Sequence, residues 1–192
     1  MKKDSINRVE IIGCTASGKT TLCKTMQKLG WTPIYEPYET NPFLTDFFAG
    51  EKCAFELQMC FLLQHFNRIN SMNHPTKNLI CDFSFFLDSI YASILLSNKE
   101  MTIYTELLSY IISKISPPKY VIKLTCPNDI IFDRIRNRNR TFEQAIDKEF
   151  VEALNQKVNN YTTDCKLIQV DSSQINLLNE IDVYNKIVKK LV

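Results

Sequence analysis

The residues best suited to chemistry stand near the start of the chain, in "GCTASGKT" (13–20), directly after the apolar run "VEII". This stretch fits G-x-x-x-x-G-K-[ST], a loop whose glycines let backbone N–H groups turn toward phosphate oxygens. A helix opening at the end of the loop adds its positive N-terminal end. Lys19 is placed to reach the outer phosphates, and Thr20 offers a hydroxyl to Mg²⁺. A glycine turn that only joins a strand to a helix is the bland alternative. It is disfavoured because motif and flanking context agree.

Binding phosphates leaves open whether the loop transfers one, times a switch or merely holds a nucleotide. A GTPase switch needs D-x-x-G, but Gln27 and Phe47 stand three places before the downstream glycines Gly30 and Gly50. The guanine-reading N-K-x-D also fails, since "NKEM" (98–101) has Met101 where the carboxylate must be.

Two acids end strand candidates. Glu36, in "YEPYETNPF", is placed beyond the carboxyl end of a strand, where open α/β sheets bind ligands. A carboxylate there can accept the proton of an attacking hydroxyl, though by position alone a solvated loop glutamate is equally in play. Asp82 closes "NLICD" and is placed to hold Mg²⁺ beside the loop; Asp82 or Ser84 can also cap the next helix. Later, "DRIRNRNRTFEQ" gathers Arg134, Arg136, Arg138 and Arg140. Four guanidiniums so close repel one another unless anions lie among them. Phosphoryl transfer uses such cations at the oxygens where charge spreads, so this segment reads as an arginine-rich lid rather than a solvated basic helix.

These groups need a scaffold. At 192 residues the chain suits one domain, 1–192, with a core large enough to need no staples. A net charge of +2 gives no reason to expect nucleic acid or an anionic membrane as partner. Seven cysteines without a C-x-x-C pair suit reduced thiols and a cytoplasmic location. No apolar run approaches the roughly 18 residues of a membrane span, and the N-terminal apolar stretch is too short for a signal peptide. Strand candidates at 9–12, 33–36, 78–82, 120–125 and 167–171 alternate with helix candidates at 19–29, 51–72, 86–97, 102–115, 127–138, 147–163 and 177–191. Strands separated by helices predict a mostly parallel five-stranded sheet with helices on both faces, a three-layer α/β sandwich.

The pieces "GCTASGKT", "YEPYETNPFL", "AFELQMCFLLQHF", "CDFSFFLDSIYA" and "RIRNRNRTFEQ" resemble, in order, the deoxynucleoside kinase family, and the likeness covers most of the chain. The resemblance implies a P-loop kinase that phosphorylates the 5′-OH of a deoxynucleoside with ATP and Mg²⁺, usually as a homodimer. It implies that Gly13, Cys14, Thr15, Ala16, Ser17, Gly18, Lys19, Thr20, Thr21 and Arg134 bind ATP, and that Thr20 and Asp82 hold the metal. Glu36 matches the base that takes the 5′-OH proton, acting with Lys19, Arg138 and Arg140. Gln58 matches the glutamine that pairs with the nucleobase edge, Asp88 an acid that helps select the base, and Glu143 a glutamate on the sugar 3′-OH. Phe48, Phe61 and His65 complete the expected substrate site.

Departures from the family pattern fall at four places. Phe83 stands where the acid-Arg-Ser motif has its arginine, and Phe48 where many relatives have a tyrosine on the 3′-OH. His65 stands where an arginine often partners the acid at Asp88, and Asn139 replaces a lid glycine. From the residues themselves, Gln58 is equally a polar residue at a helix contact, and Phe55, Phe61 and Phe85 read first as core. By the likeness at Gln58 and Asp88, the resemblance implies a purine deoxynucleoside or deoxycytidine as the favoured substrate. Two other readings fit the same residues: a nucleoside monophosphate kinase, and a nucleotide-binding regulatory module with weakened catalysis.

Overall fold

The run "RVEIIG" builds the centre of the sheet because each of its side chains is buried, as suits a strand covered on both faces. In the computed structural model, which describes residues 8–72, 78–138, 140 and 146–191, it forms β1 (Arg8–Gly13). Beside it lie β3 (Leu79–Cys81) and β4 (Tyr120–Thr125), flanked by β2 (Thr32–Ile34) and β5 (Lys166–Asp171). All four pairings are parallel, in the order β2-β3-β1-β4-β5. The five expected strands are thus present, with ends moved by one or two residues except in β4.

Side-chain alternation along β1 sorts the core into two layers. Val9 and Ile11 face α1 (Lys19–Lys28) and α8 (Glu180–Lys186), packing with Leu22, Met26 and Val183. Ile12 faces the opposite side, toward α4 (Phe85–Leu95), α6 (Asn128–Arg138) and α7 (Lys148–Asn160), where Leu87, Ile131 and Leu154 meet it. Full burial of such aliphatic side chains is worth about 1.5–3 kcal/mol each, so both layers are strongly held. Outside α4, α3 (Ala54–Asn70) and α5 (Asn98–Lys114) pack around Leu62, Phe85, Tyr104 and Ile111.

Several helices depart from expectation for visible reasons. The one expected over 102–115 starts at Asn98, because Ser97 and Glu100 form a capping box, with Glu100 Oε2 accepting from Ser97 N at 2.8 Å. The one expected over 51–72 is trimmed to α3, and a short α2 (Leu44–Phe48) precedes it unannounced. The stretch expected over 177–191 is α8 followed by a 3₁₀ turn. No helix among the described residues is long and apolar enough to cross a membrane.

One buried polar network fixes the turn after β3. Glu10 accepts from Arg8 Nε at 2.9 Å and from Ser84 Oγ at 2.8 Å. Ser84 also accepts from Phe86 N, so Ser84, and not Asp82, caps α4. Burial raises the Glu10 carboxyl above its ordinary value, with Arg8 and Ser84 opposing it. The network leaves Asp82 and Asp88 on either side of the cap, directed to other partners.

Candidate active site

The phosphate loop leaves β1 and curls back through two special backbone positions. Gly18 has φ +103°, which suits glycine, and Ala16 takes φ +55°. A Cβ on Gly13 would stand 2.4 Å from Ser17 Oγ, and one on Gly18 would meet Leu177. Space therefore favours glycine at position 13, and curvature favours it at position 18. Lys19 Nζ donates to the carbonyls of Gly13 and Cys14 at 2.9 and 3.1 Å, folded over the loop it serves. Ser17 Oγ is buried beneath the loop beside Gly13, without a partner among the described residues.

The carboxyl ends of the parallel strands gather the other groups here. A cavity of about 810 Å³ runs from the loop across these strand ends. Its lining includes Thr15, Lys19, Thr20, Glu36, Asp82 and Arg138, from the loop, the ends of β2 and β3 and the end of α6. Helices α2, α3 and α4 contribute Phe48, Leu57, Gln58, Phe61, Asp88 and Tyr91 to the same lining. Asp82 accepts from the Glu36 backbone N–H at 2.6 Å, which joins the ends of β2 and β3. Burial pushes the Asp82 carboxyl above its ordinary value, against the pull of that N–H and of the Thr20 hydroxyl. For Glu36, burial is outweighed by His65, Lys19 and Arg140, which hold its carboxyl below the ordinary range. Burial lowers the Lys19 ammonium, with Glu36 its strongest opposing charge. Lys19 and Glu36 thus lie close enough to shift one another.

Among the described residues no three His, Cys, Asp or Glu side chains gather as a metal cluster. The Thr20 hydroxyl and Asp82 carboxylate are two adjacent hard oxygen donors, the set that suits Mg²⁺ when phosphates and water supply the rest.

The arginines divide. Arg134 Nη1 donates to the carbonyls of Ala16 and Ser17 at 3.4 and 3.3 Å and to Ser172 Oγ at 3.0 Å. Its Nη2 donates to Ser172 O at 2.8 Å. Arg134, which also lines the cavity, thus clasps the phosphate loop to the residue after β5. Arg136 pairs with Asp133 on the exposed face of α6. Arg138 Nη2 donates to Thr15 Oγ1 at 3.2 Å, and the Arg140 guanidinium lies 4.4 Å from the Tyr38 ring centre. The remaining lid position Asn139 and the expected 3′-OH ligand Glu143 lie outside the described residues.

His65 requires a correction. Expected to touch substrate, its side chain is 0% exposed and sits behind the cavity wall. Its Nδ1 lies 2.8 Å from Asp88 Oδ2, and its ring stacks on Phe83 with centroids 4.0 Å apart. Phe61 lines the cavity, whereas Phe85 is core and Phe55 lines neither. Residues not anticipated also line the cavity: Tyr38 and Tyr91, and beyond β5 Ser172, Ile175 and Leu177. The last group was findable from the rule that places ligands beyond strand carboxyl ends, applied to β5.

A family model described as deoxynucleoside kinase matches residues 9–192. A deoxyguanosine kinase of Bacillus subtilis (strain 168) is 27% identical over 176 residues, covering 88% of this chain and 84% of that protein. A deoxyadenosine kinase of Dictyostelium discoideum is 26% identical over 153 residues, 76% of this chain and 62% of that protein. Among solved structures, a deoxyadenosine kinase from M. mycoides with products dCMP and a flexible dCDP bound superposes with a TM-score of 0.81. It is 20% identical and covers 96% of this chain and 100% of that chain. The same kinase with bound dATP superposes with a TM-score of 0.77 at 22% identity, over 96% of this chain and 98% of that chain.

Proposed function

The chain belongs to the deoxynucleoside kinase family, and from that premise we propose that it transfers the γ-phosphate of ATP to the 5′-OH of a purine deoxynucleoside or deoxycytidine. One observation carries this reading: Lys19, Glu36 and Asp82 converge in a cavity that Gln58 and Asp88 also line. A phosphate site and an amide–carboxylate pair within one cavity suit a nucleoside laid with its 5′ end toward the loop.

In this account the loop amides, Lys19, Arg138 and Arg140 meet the charge that spreads over the transferring phosphoryl group. Thr20 and Asp82 hold Mg²⁺, which supplies further charge neutralisation at the phosphate oxygens when bound. Glu36 aligns the 5′-OH and accepts its proton. Its depressed carboxyl keeps it ionised at neutral pH, which suits an acceptor. The attacking oxygen is little bonded in a loose transition state, so alignment matters more than basicity. Gln58 can donate to and accept from a base edge at once, and Phe61 and Phe48 cover the base and sugar.

We further assign the chain as one domain acting as a homodimer in the cytoplasm. The dimer is supported by Ile103 and Tyr110, seven residues apart on one face of α5 and each more than half exposed. The location is supported by seven unpaired cysteines. The functional reading is tested by measuring ADP release with ATP, Mg²⁺ and each natural nucleoside in ribo and deoxy form. Turnover of a deoxynucleoside is expected; ADP release that ignores the acceptor would overturn the reading.

A further inference from the structure

His65 sits between two carboxylates, Glu36 and Asp88, that both line the cavity. On one side Nδ1 meets Asp88 of α4 at 2.8 Å. On the other, Nε2 lies 3.5 Å from Glu36 Oε1. That separation is an ion-pair distance, longer than the roughly 2.7–2.9 Å of a charge-assisted hydrogen bond. Nε2 is buried and makes no hydrogen bond among the described residues. The rest of its surroundings are aromatic: Phe83 stacked at 4.0 Å and 10°, Phe61 at 5.8 Å and Phe85 edge-on at 6.5 Å. The buried Tyr104 of α5 lies near enough to feel the Asp88 charge.

This arrangement determines where the ring protons go. Asp88 accepts at Nδ1, so Nδ1 carries a proton. A bare lone pair at Nε2 would face the Glu36 carboxylate, so Nε2 carries one too. Burial opposes the charge, but Asp88 and Glu36 together push the imidazole up to about 10. The ring is clamped by Asp88 and Phe83 and has little freedom. Glu36, 34% exposed toward the cavity, has more. An unmet buried donor is costly, and hydrogen bonds at active sites commonly tighten when substrate is bound.

We propose that His65 is the positioning residue of the phosphoryl transfer: its Nε2–H closes on Glu36 Oε1 and aims the other carboxylate oxygen at the substrate hydroxyl, while Asp88 fixes the ring at Nδ1. The proposal rests on the deoxynucleoside kinase reading. It deepens that reading by joining Asp88 and Glu36 through one buried side chain. It also gives Phe83 a task, since an aromatic face at this position holds the imidazole flat against the wall.

The test uses the full chain with ATP, Mg²⁺ and whichever deoxynucleoside the wild type turns over fastest. His65→Asn keeps a donor toward Asp88 and loses the one toward Glu36. Its kcat is expected to fall by about 10–100-fold, the worth of one hydrogen bond to a charged group, with KM for the nucleoside changed less than about threefold. His65→Gln, which restores a donor toward Glu36, should recover kcat to within about tenfold of wild type. Added to Glu36→Gln, His65→Asn should cost nothing further, because both remove the same alignment. An equal loss in both backgrounds, or a raised KM at unchanged kcat, overturns the proposal. A second readout needs neither turnover nor a folded His65→Asn. The chain has two histidines, so imidazole ¹⁵N spectra are simple to assign. Glu36→Gln should shift the His65 Nε2 signal and leave Nδ1 in place; an unmoved Nε2 overturns the proposal. A wild type without turnover would defeat the functional reading and leave this spectroscopic outcome standing, so the two failures are separable.

Discussion

Arg134→Met separates a brace from a ligand. The guanidinium spans the phosphate loop and the residue after β5 through two short bonds, to Ser172 O at 2.8 Å and Ser172 Oγ at 3.0 Å. Two longer ones reach Ala16 O at 3.4 Å and Ser17 O at 3.3 Å. Methionine keeps most of the buried stem, so the loss is chiefly polar. Counting only the short bonds, at about 1.5 kcal/mol each for a charged donor, and allowing part-buried acceptors to rehydrate, the expected cost is about 2–3 kcal/mol. For a chain of this length that lowers Tm by about 5–10 °C. The assay is thermal unfolding by circular dichroism, first without nucleotide and then with saturating ATP. A brace lowers Tm already in the nucleotide-free protein. A ligand to ATP leaves that Tm alone and reduces only the stabilisation that ATP adds. An unchanged nucleotide-free Tm together with a lost ATP-induced shift would refute the bracing role.

Other substitutions probe the remaining parts. Glu36→Gln is expected to lower kcat on the order of 10²-fold or more, read in steady-state kinetics, and activity near wild type would remove the base role. Asp82→Asn should raise the Mg²⁺ concentration needed for half-maximal rate by about tenfold or more, and an unmoved Mg²⁺ titration would take Asp82 out of the metal site. Lys123 is buried in β4 and donates to the carbonyls of Asn159 and Tyr161 at the end of α7. Lys123→Met should therefore cost about 1–3 kcal/mol by leaving those carbonyls unmet, read as a lower Tm with kcat retained. Thiol titration of the native protein at pH 8 should label Cys53, Cys60 and Cys165, which are part-exposed, and spare Cys14, whose thiol burial pushes up to about 12.

Much of the scaffold was legible because its signals are local. The apolar runs that became β1 and β4, the glycine loop between β1 and α1, and Glu36 and Asp82 beyond strand ends all follow from short-range pattern plus the rule for open α/β sheets. The start of α5 was also written locally, in Ser97 and Glu100, yet periodicity alone placed it four residues late. What escaped was pairwise geometry across distant segments. Nothing in the spacing of Glu36, His65 and Asp88 says that one ring stands between two carboxylates. Arg134 reads as a cation in a basic run until Ser172, 38 positions away, is seen to occupy it. Phe83 reads as a lost charge, whereas the fold uses its flat face to hold His65.

The reaction assigned to this chain passes a phosphate from loop-bound ATP to a nucleoside hydroxyl. It is tested most directly by following the label from [γ-³²P]ATP in the presence of Mg²⁺, with deoxyguanosine, deoxyadenosine or deoxycytidine as acceptor and, separately, their 5′-monophosphates. Label is expected in a deoxynucleoside 5′-monophosphate formed from at least one nucleoside, and none in a diphosphate formed from a monophosphate. Label that enters only the diphosphates, or that is released as inorganic phosphate regardless of acceptor, would contradict it.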